Sequence, residues 1–171
     1  AETDPLTGIA NRGKFNAVLA DAFTHAAQTA EPLAVLFLDA DHFKRLNDTY
    51  GHPTGDRVLI ELADLLTREM PDTALPCRYG GEEFAVILPG VDRRRAAQLA
   101  EHARQAIAAT PVPSDEGEEL RVTASIGVAA YEHACFAKPE HLVKAADQGV
   151  YAAKAAGRNA VRVYAPRPKA A

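Results

Sequence analysis

Methionine and cysteine are scarce in this 171-residue chain: Met70 stands alone, and Cys77 and Cys135 are the only thiols. Two cysteines supply no disulfide framework and fit a reducing compartment. Neither they nor the histidines stand at the spacing of a zinc site, and no nucleophile elbow is present. No apolar run approaches the roughly 20 residues of a membrane span, and no signal peptide is visible. A cytoplasmic domain with no membrane contact of its own is therefore expected. A basic footprint is missing too. The formal net charge is −4, with Lys and Arg gathered only locally, at Arg93–Arg95 and from Lys138 onward, which argues against a nucleic-acid partner. Repeats and low-complexity stretches are absent. So is an initiator methionine, and the chain reads as a domain of a longer protein.

What is present is ordinary for a globular domain: 47% hydrophobic and 25% charged residues, enough for one real core. One domain is expected over residues 1–165, with 166–171 as a tail. Apolar spacing predicts a helix over Arg12–Gln28. The unbroken run Leu33–Leu38, ending in Asp39, predicts a buried central strand. Helical periodicity returns over Pro53–Met70. A strand over Phe84–Leu88 stops at Pro89-Gly90, and Asp92 begins a helix that ends before Pro111. Residues 111–119 read as a polar loop, and alternation over Val122–Val128 as a strand. A last helix, about Pro139 to Ala156, is closed by Gly157, and Ala160–Tyr164 is a short final strand. From Leu33 the order is β-α-β-β-α-β. The fold class is thus α/β (α+β), a ferredoxin-like, antiparallel-rich sheet whose βαββαβ core carries helices on one face and is surrounded by the remaining helices.

Gly80-Gly81-Glu82-Glu83-Phe84 carries the most chemistry. A Gly-Gly pair suits a two-residue hairpin turn in which both residues take positive φ. The hairpin would present two carboxylates beside backbone that has no side chains to block a ligand. Asp39-Ala40-Asp41 lies where the apolar strand ends. Carboxylates at a strand end beside an acidic hairpin make a magnesium site for a nucleoside triphosphate, because Mg²⁺ takes hard oxygens and commonly needs only one or two carboxylates plus phosphates. For Asp41, N-capping of a short helix over Phe43–Tyr50 is an equal alternative. Asn47, His52 and Asp56 follow. An amide paired with a carboxylate matches the adjacent N–H donors of a guanine edge, which adenine lacks. A turn role for Asn47 and a first-turn role for Asp56 are the plain alternatives. Lys44, Lys154 and Arg158 suit either helix ends or phosphate oxygens. Gly8 to Lys14 fits the spacing of a phosphate-binding loop, but Phe15 stands where Ser or Thr must hold the metal, so that reading is rejected.

These residues together resemble the GGDEF-domain diguanylate cyclases, which make cyclic di-GMP from two GTP. The likeness runs from Asp4-Pro5-Leu6-Thr7-Gly8 and Asn11-Arg12, through Phe37–Lys44, Asn47-Asp48, Gly51-His52 and Gly55-Asp56, to Arg78–Phe84. It ends with Ser125–Val128 and Tyr151, Lys154 and Gly157-Arg158-Asn159. The resemblance implies a palm-type fold and specific roles. Asp39, the Ala40 carbonyl and Glu82 would bind magnesium (manganese as the alternative ion), with Glu83 as a further ligand. Glu82 is the implied general base for a ribose 3′-hydroxyl, and Lys44 joins it as a catalytic candidate. Asn47 and Asp56 would read guanine, and His52 would line the substrate pocket. Lys44, Lys154 and Arg158 would meet the triphosphate.

The implied reaction is attack of a 3′-hydroxyl on the α-phosphate of a second GTP, releasing pyrophosphate. One domain holds one GTP, so a two-fold homodimer is implied, as is an upstream sensor domain in the longer protein. A GTP-binding regulatory module without catalysis is the alternative, and a related enzyme with a mixed or mononucleotide cyclic product is another. Two departures from the family stand out. Pro71 and Ala74 occupy the places of an Arg-x-x-Asp product-inhibition site, which is therefore expected to be absent. Gly149 sits mid-helix where a better helix former is usual, and is expected to weaken that helix.

Overall fold

The structure is a computed structural model that describes residues 1–132 and 135–166. Of the expected tail, only Pro166 falls within the described residues. The sheet has five strands in the order β2-β3-β1-β6-β7, with β1 (Leu33–Ala40) at its centre. β3 (Glu83–Pro89) and β6 (Ala124–Ala130) flank β1 antiparallel. β2 (Leu75–Arg78) closes one edge antiparallel to β3, and β7 (Ala160–Val163) closes the other, parallel to β6. Every residue of β1 is buried.

Both faces of this sheet are covered by helices. On one face α3 (His52–Glu69) and α4 (Arg93–Ala109) pack Leu62, Leu66, Leu99 and Ile107 against Leu36, Leu38 and Ile126. On the other, α1 (Arg12–Thr29) and α5 (Pro139–Ala155) pack Phe15, Leu19, Leu142 and Val150 against Val35, Phe37 and Ile87. The unbroken apolar run of β1 has this physical reason: a strand buried on both sides has no polar alternation. The short α2 (Phe43–Tyr50) leads from β1 into α3.

Local signals set several boundaries. The Asn11 side chain accepts from Lys14 N at 2.9 Å to start α1, and Asp92 accepts from Arg95 N at 2.8 Å to start α4. The stretch read as a polar loop folds into a small ribbon, β4 (Val112–Pro113) against β5 (Glu119–Leu120). β6 begins two residues later than the alternation implied and runs on to Ala130. Gly149 has a packing reason that helix propensity alone does not show. A Cβ there would lie 2.7 Å from the Gly127 Cα and 2.8 Å from the Arg162 carbonyl oxygen. The glycine lets α5 touch the backbone of β6 and β7, so a better helix former would not fit. No helix among the described residues is long and apolar enough to cross a membrane.

Candidate active site at the end of the central strand

The β1–β3 register places Asp39 opposite Glu83, and the Ala40 N–H donates to the Glu82 carbonyl at 3.4 Å. The strand end and the acidic hairpin are thus one unit. The hairpin is not built as its sequence implied. Four residues, 79–82, join β2 to β3, and the Tyr79 and Gly80 N–H groups both donate to the Glu83 carbonyl, at 2.8 and 3.2 Å. Neither Gly80 nor Gly81 lies in the left-handed region. Their value is space. A Cβ on Gly80 would collide with the Glu83 carboxylate folded over it, whereas nothing stands within 4 Å of the Cβ position of Gly81.

Asp39 is 7% exposed, and its Lys154 partner on α5 contacts Oδ2. Oδ1 is buried and accepts no hydrogen bond while Glu82 is ionised; a protonated Glu82 donates to the Asp39 carboxylate. Burial, and then the adjoining Asp39 carboxylate, push Glu82 up to about 7 against the pull of Lys154. Glu83 is raised as well, by burial first and then by Asp39 and Asp147. Negative charge in this corner exceeds its cations. Among the described residues no three His, Cys, Asp or Glu side chains form a ready cation cage. Magnesium needs fewer, because phosphates and water complete its shell. The unpartnered Asp39 oxygen and the raised Glu82 carboxyl fit a hard dication.

Asn47 lies on α2 with its side-chain oxygen buried and unpartnered. A Cβ on Gly55 would run into that oxygen, so the amide lies against the residue preceding Asp56. Asp56 is the fifth residue of α3 and is exposed, one position beyond a first-turn, dipole-favoured site. Lys44, His52 and Arg158 are exposed. Pro71 and Ala74 close a turn, Ala74 N to Pro71 O at 2.9 Å.

Asp41 is neither an N-cap nor a free carboxylate. The cap position of α2 is His42, which makes no side-chain cap bond. Asp41 instead accepts from Thr123, Ser125 and the Asn159 N–H. Sequence reasoning also gave no role to Arg78. Its guanidinium donates to the Gly81 carbonyl at 2.8 and 3.2 Å and pairs with Asp4 at 3.3 Å. Burial opposes ionisation of Asp4, but hydrogen bonds from Thr7 and the charge of Arg78 outweigh it and hold the carboxyl below its ordinary range. The only sequence signal for this clamp was the presence of both residues in the quoted motifs.

The sequence profile described as "Diguanylate cyclase, GGDEF domain" matches residues 1–160. The response regulator PleD of Caulobacter vibrioides is 45% identical over 162 residues, covering 94% of this chain and 36% of PleD. The chain thus spans about a third of the length of that curated relative. Among solved structures, the GGDEF domain of DgcB from Caulobacter crescentus, in complex with c-di-GMP, superposes with a TM-score of 0.91 at 34% identity, covering 96% of this chain and 94% of that one. The active GGEEF domain of a diguanylate cyclase from Vibrio cholerae gives a TM-score of 0.85 at 34% identity, covering 92% and 98%.

Proposed function

The chain belongs to the diguanylate cyclase GGDEF-domain family, and on that premise we propose that it condenses two GTP into cyclic di-GMP with release of two pyrophosphates. One observation carries the reading. A buried carboxylate, Asp39, keeps one oxygen unpartnered beside a second carboxyl that is raised toward neutrality, and a lysine stands at the other oxygen.

Asp39, the Ala40 carbonyl, Glu82 and Glu83 would hold magnesium, or manganese in its place. When bound, the ion supplies Lewis-acid stabilisation of charge on the reacting phosphate. The protein's own groups do the rest. Asn47 and Asp56 orient guanine, with His52 at the pocket rim. Lys44, Lys154 and Arg158 hold the triphosphate. Glu82 is the group assigned to accept the 3′-hydroxyl proton, as a carboxylate placed beside the reacting hydroxyl can. The 3′-oxygen attacks the α-phosphorus and the bond to pyrophosphate breaks.

One site holds one nucleotide, so the attacking hydroxyl comes from a GTP on a second copy. Positioning the two is worth up to roughly 7–11 kcal/mol of barrier. The working form is a two-fold homodimer, governed by an upstream regulatory domain of the longer protein.

The test is incubation of concentrated domain with GTP and Mg²⁺ followed by nucleotide chromatography. Cyclic di-GMP and pyrophosphate are expected, with a rate per domain that rises with protein concentration. GTP binding without product would favour a non-catalytic regulatory module instead. Glu82→Ala should lower turnover by more than about a hundredfold with an unchanged fold, and full activity in that variant would refute the assignment.

A further inference from the structure

Asp41 is as buried as Asp39, at 6% exposed, yet its oxygens are fully engaged. Oδ1 accepts from Ser125 Oγ at 2.6 Å. Oδ2 accepts from Thr123 Oγ1 at 2.7 Å and from the Asn159 backbone N–H at 2.9 Å. Thr123 immediately precedes β6 and Ser125 is its second residue, whereas Asn159 belongs to the turn after α5. That turn holds an unusual conformation. Gly157, Arg158 and Asn159 have φ of 110°, 67° and 45°, three successive residues in the left-handed region. Glycine and asparagine tolerate it; arginine rarely adopts it unaided.

The turn is tied down at each end. Gly157 N and Arg158 N donate back to the Lys154 and Ala153 carbonyls, at 3.2 and 3.0 Å. Asn159 N is held by Asp41. From the other side Arg104 on α4 donates to the Asn159 side-chain oxygen at 2.8 Å, and Glu101 fixes Arg104 at 2.9 Å.

We propose that Asp41 is a positioning residue for the triphosphate: by holding the Gly157–Asn159 turn against the end of β1, it aims Arg158 and the last turn of α5, with Lys154, at the corner occupied by Asp39. The inference rests on the reading of Lys154 and Arg158 as phosphate ligands. It assigns the two aspartates separate tasks. Asp39 is left with an open oxygen for a ligand, while Asp41 is consumed by neutral donors that fix backbone. The carboxylate's shape matters here more than its charge. An asparagine at position 41 keeps an oxygen for Thr123 and Asn159, and its amide donates to the Ser125 hydroxyl, which accepts as readily as it donates.

The experiment compares affinities of the 171-residue chain for GTP and for guanosine 5′-monophosphate, both with Mg²⁺, by calorimetry. Asp41→Ala should weaken GTP about tenfold, the equivalent of roughly one charge-assisted hydrogen bond, and leave the monophosphate within about twofold. Asp41→Asn should restore most of the difference. If Asp41→Ala fails to fold, Arg104→Met loosens the same turn from the surface and should weaken GTP selectively by about threefold. A merely structural role would weaken both nucleotides alike, or neither, and either result overturns the proposal. Failure of the unaltered chain to bind GTP would sink the proposed function and this inference with it. Intact GTP binding with an unmoved ratio between the nucleotides in the variants sinks the inference alone.

Discussion

The two faces of the sheet share every strand but solve different problems. Toward α3 and α4, β1 sends Leu36 and Leu38 and ends in Ala40, and the facing Leu62, Leu66 and Leu99 fill the volume between. Toward α1 and α5, the same strand sends Val35 and Phe37 and ends in Asp39. There the covering helix is admitted to backbone contact by Gly127 and Gly149. The first face is governed by volume. The second is governed by distance, because Lys154 on α5 must meet Asp39 on β1, and a helix standing off on bulky side chains would leave the pair apart. A core and a site can thus be made from one strand by what each register is asked to hold.

The largest expected effects break this difference directly. A Cβ at Gly127 would be driven into the Ala146 carbonyl and lie 2.6 Å from Val150 N, both fixed in α5. Gly127→Ala should therefore lower stability by about 3 kcal/mol or more, at the upper end of overpacking effects. Leu62→Ala on the other face leaves a void and should lower it by about 2–5 kcal/mol. The two losses are similar in size and opposite in kind. GTP titration under folding conditions separates them: Leu62→Ala should keep its affinity, and Gly127→Ala should lose it as α5 moves off. Equal retention by both would mean that the helix–sheet distance does not set the site.

The same contrast explains what could be read along the chain. The apolar run of β1, the Asp92 cap and the ferredoxin-like order are local properties, and the structure contains them. The acidic hairpin and Asp39 were legible because each marks the end of an element. The cover on both faces was legible in the unbroken apolar run Leu33–Leu38. Other features depend on partners far along the chain. Asp41 meets Thr123 and Asn159, 82 and 118 residues on, and Asp39 meets Lys154, 115 residues on. Gly149 looked like a weak helix residue because its neighbour, Gly127, lies in another element. Spacing within a motif carries no information about such pairs.

A middle-sized effect concerns charge on the site's face. Glu82 has a folded pKa of about 7 against an ordinary 4.5. Between those values the unfolded chain has lost its proton while the folded one keeps it, so this group's contribution to stability is complete below about pH 4.5 and is lost as pH rises through 7. Glu82→Gln, neutral at every pH, should therefore stabilise the metal-free, nucleotide-free domain above pH 7 and match it near pH 4. The gain should be about 1 kcal/mol, kept small by the partial exposure of the carboxylate. Denaturant melts at pH 4, 6 and 8 in chelator would check it. A gain that is constant with pH would show that shape, not charge, separates the variants.

The smallest expected change in stability tests what the hairpin glycines are for. Gly80 lies under the Glu83 carboxylate, so an added methyl there must push aside the end of a flexible side chain. Gly81 has no neighbour within 4 Å of its Cβ position and no left-handed φ, so Gly81→Ala should melt within about 0.5 kcal/mol of the unaltered chain. If that open space receives the nucleotide, the methyl intrudes only when substrate is bound. GTP affinity or turnover should then fall by about tenfold, near the 1–3 kcal/mol typical of a crowded close-packed contact. The Arg78 clamp on the Gly81 carbonyl keeps the backbone from yielding to relieve the clash. Unchanged melting with reduced GTP binding would locate the function of this glycine in the ligand's approach. Unchanged binding would mean that the nucleotide passes elsewhere, leaving Gly80 as the residue of the pair required by a close contact.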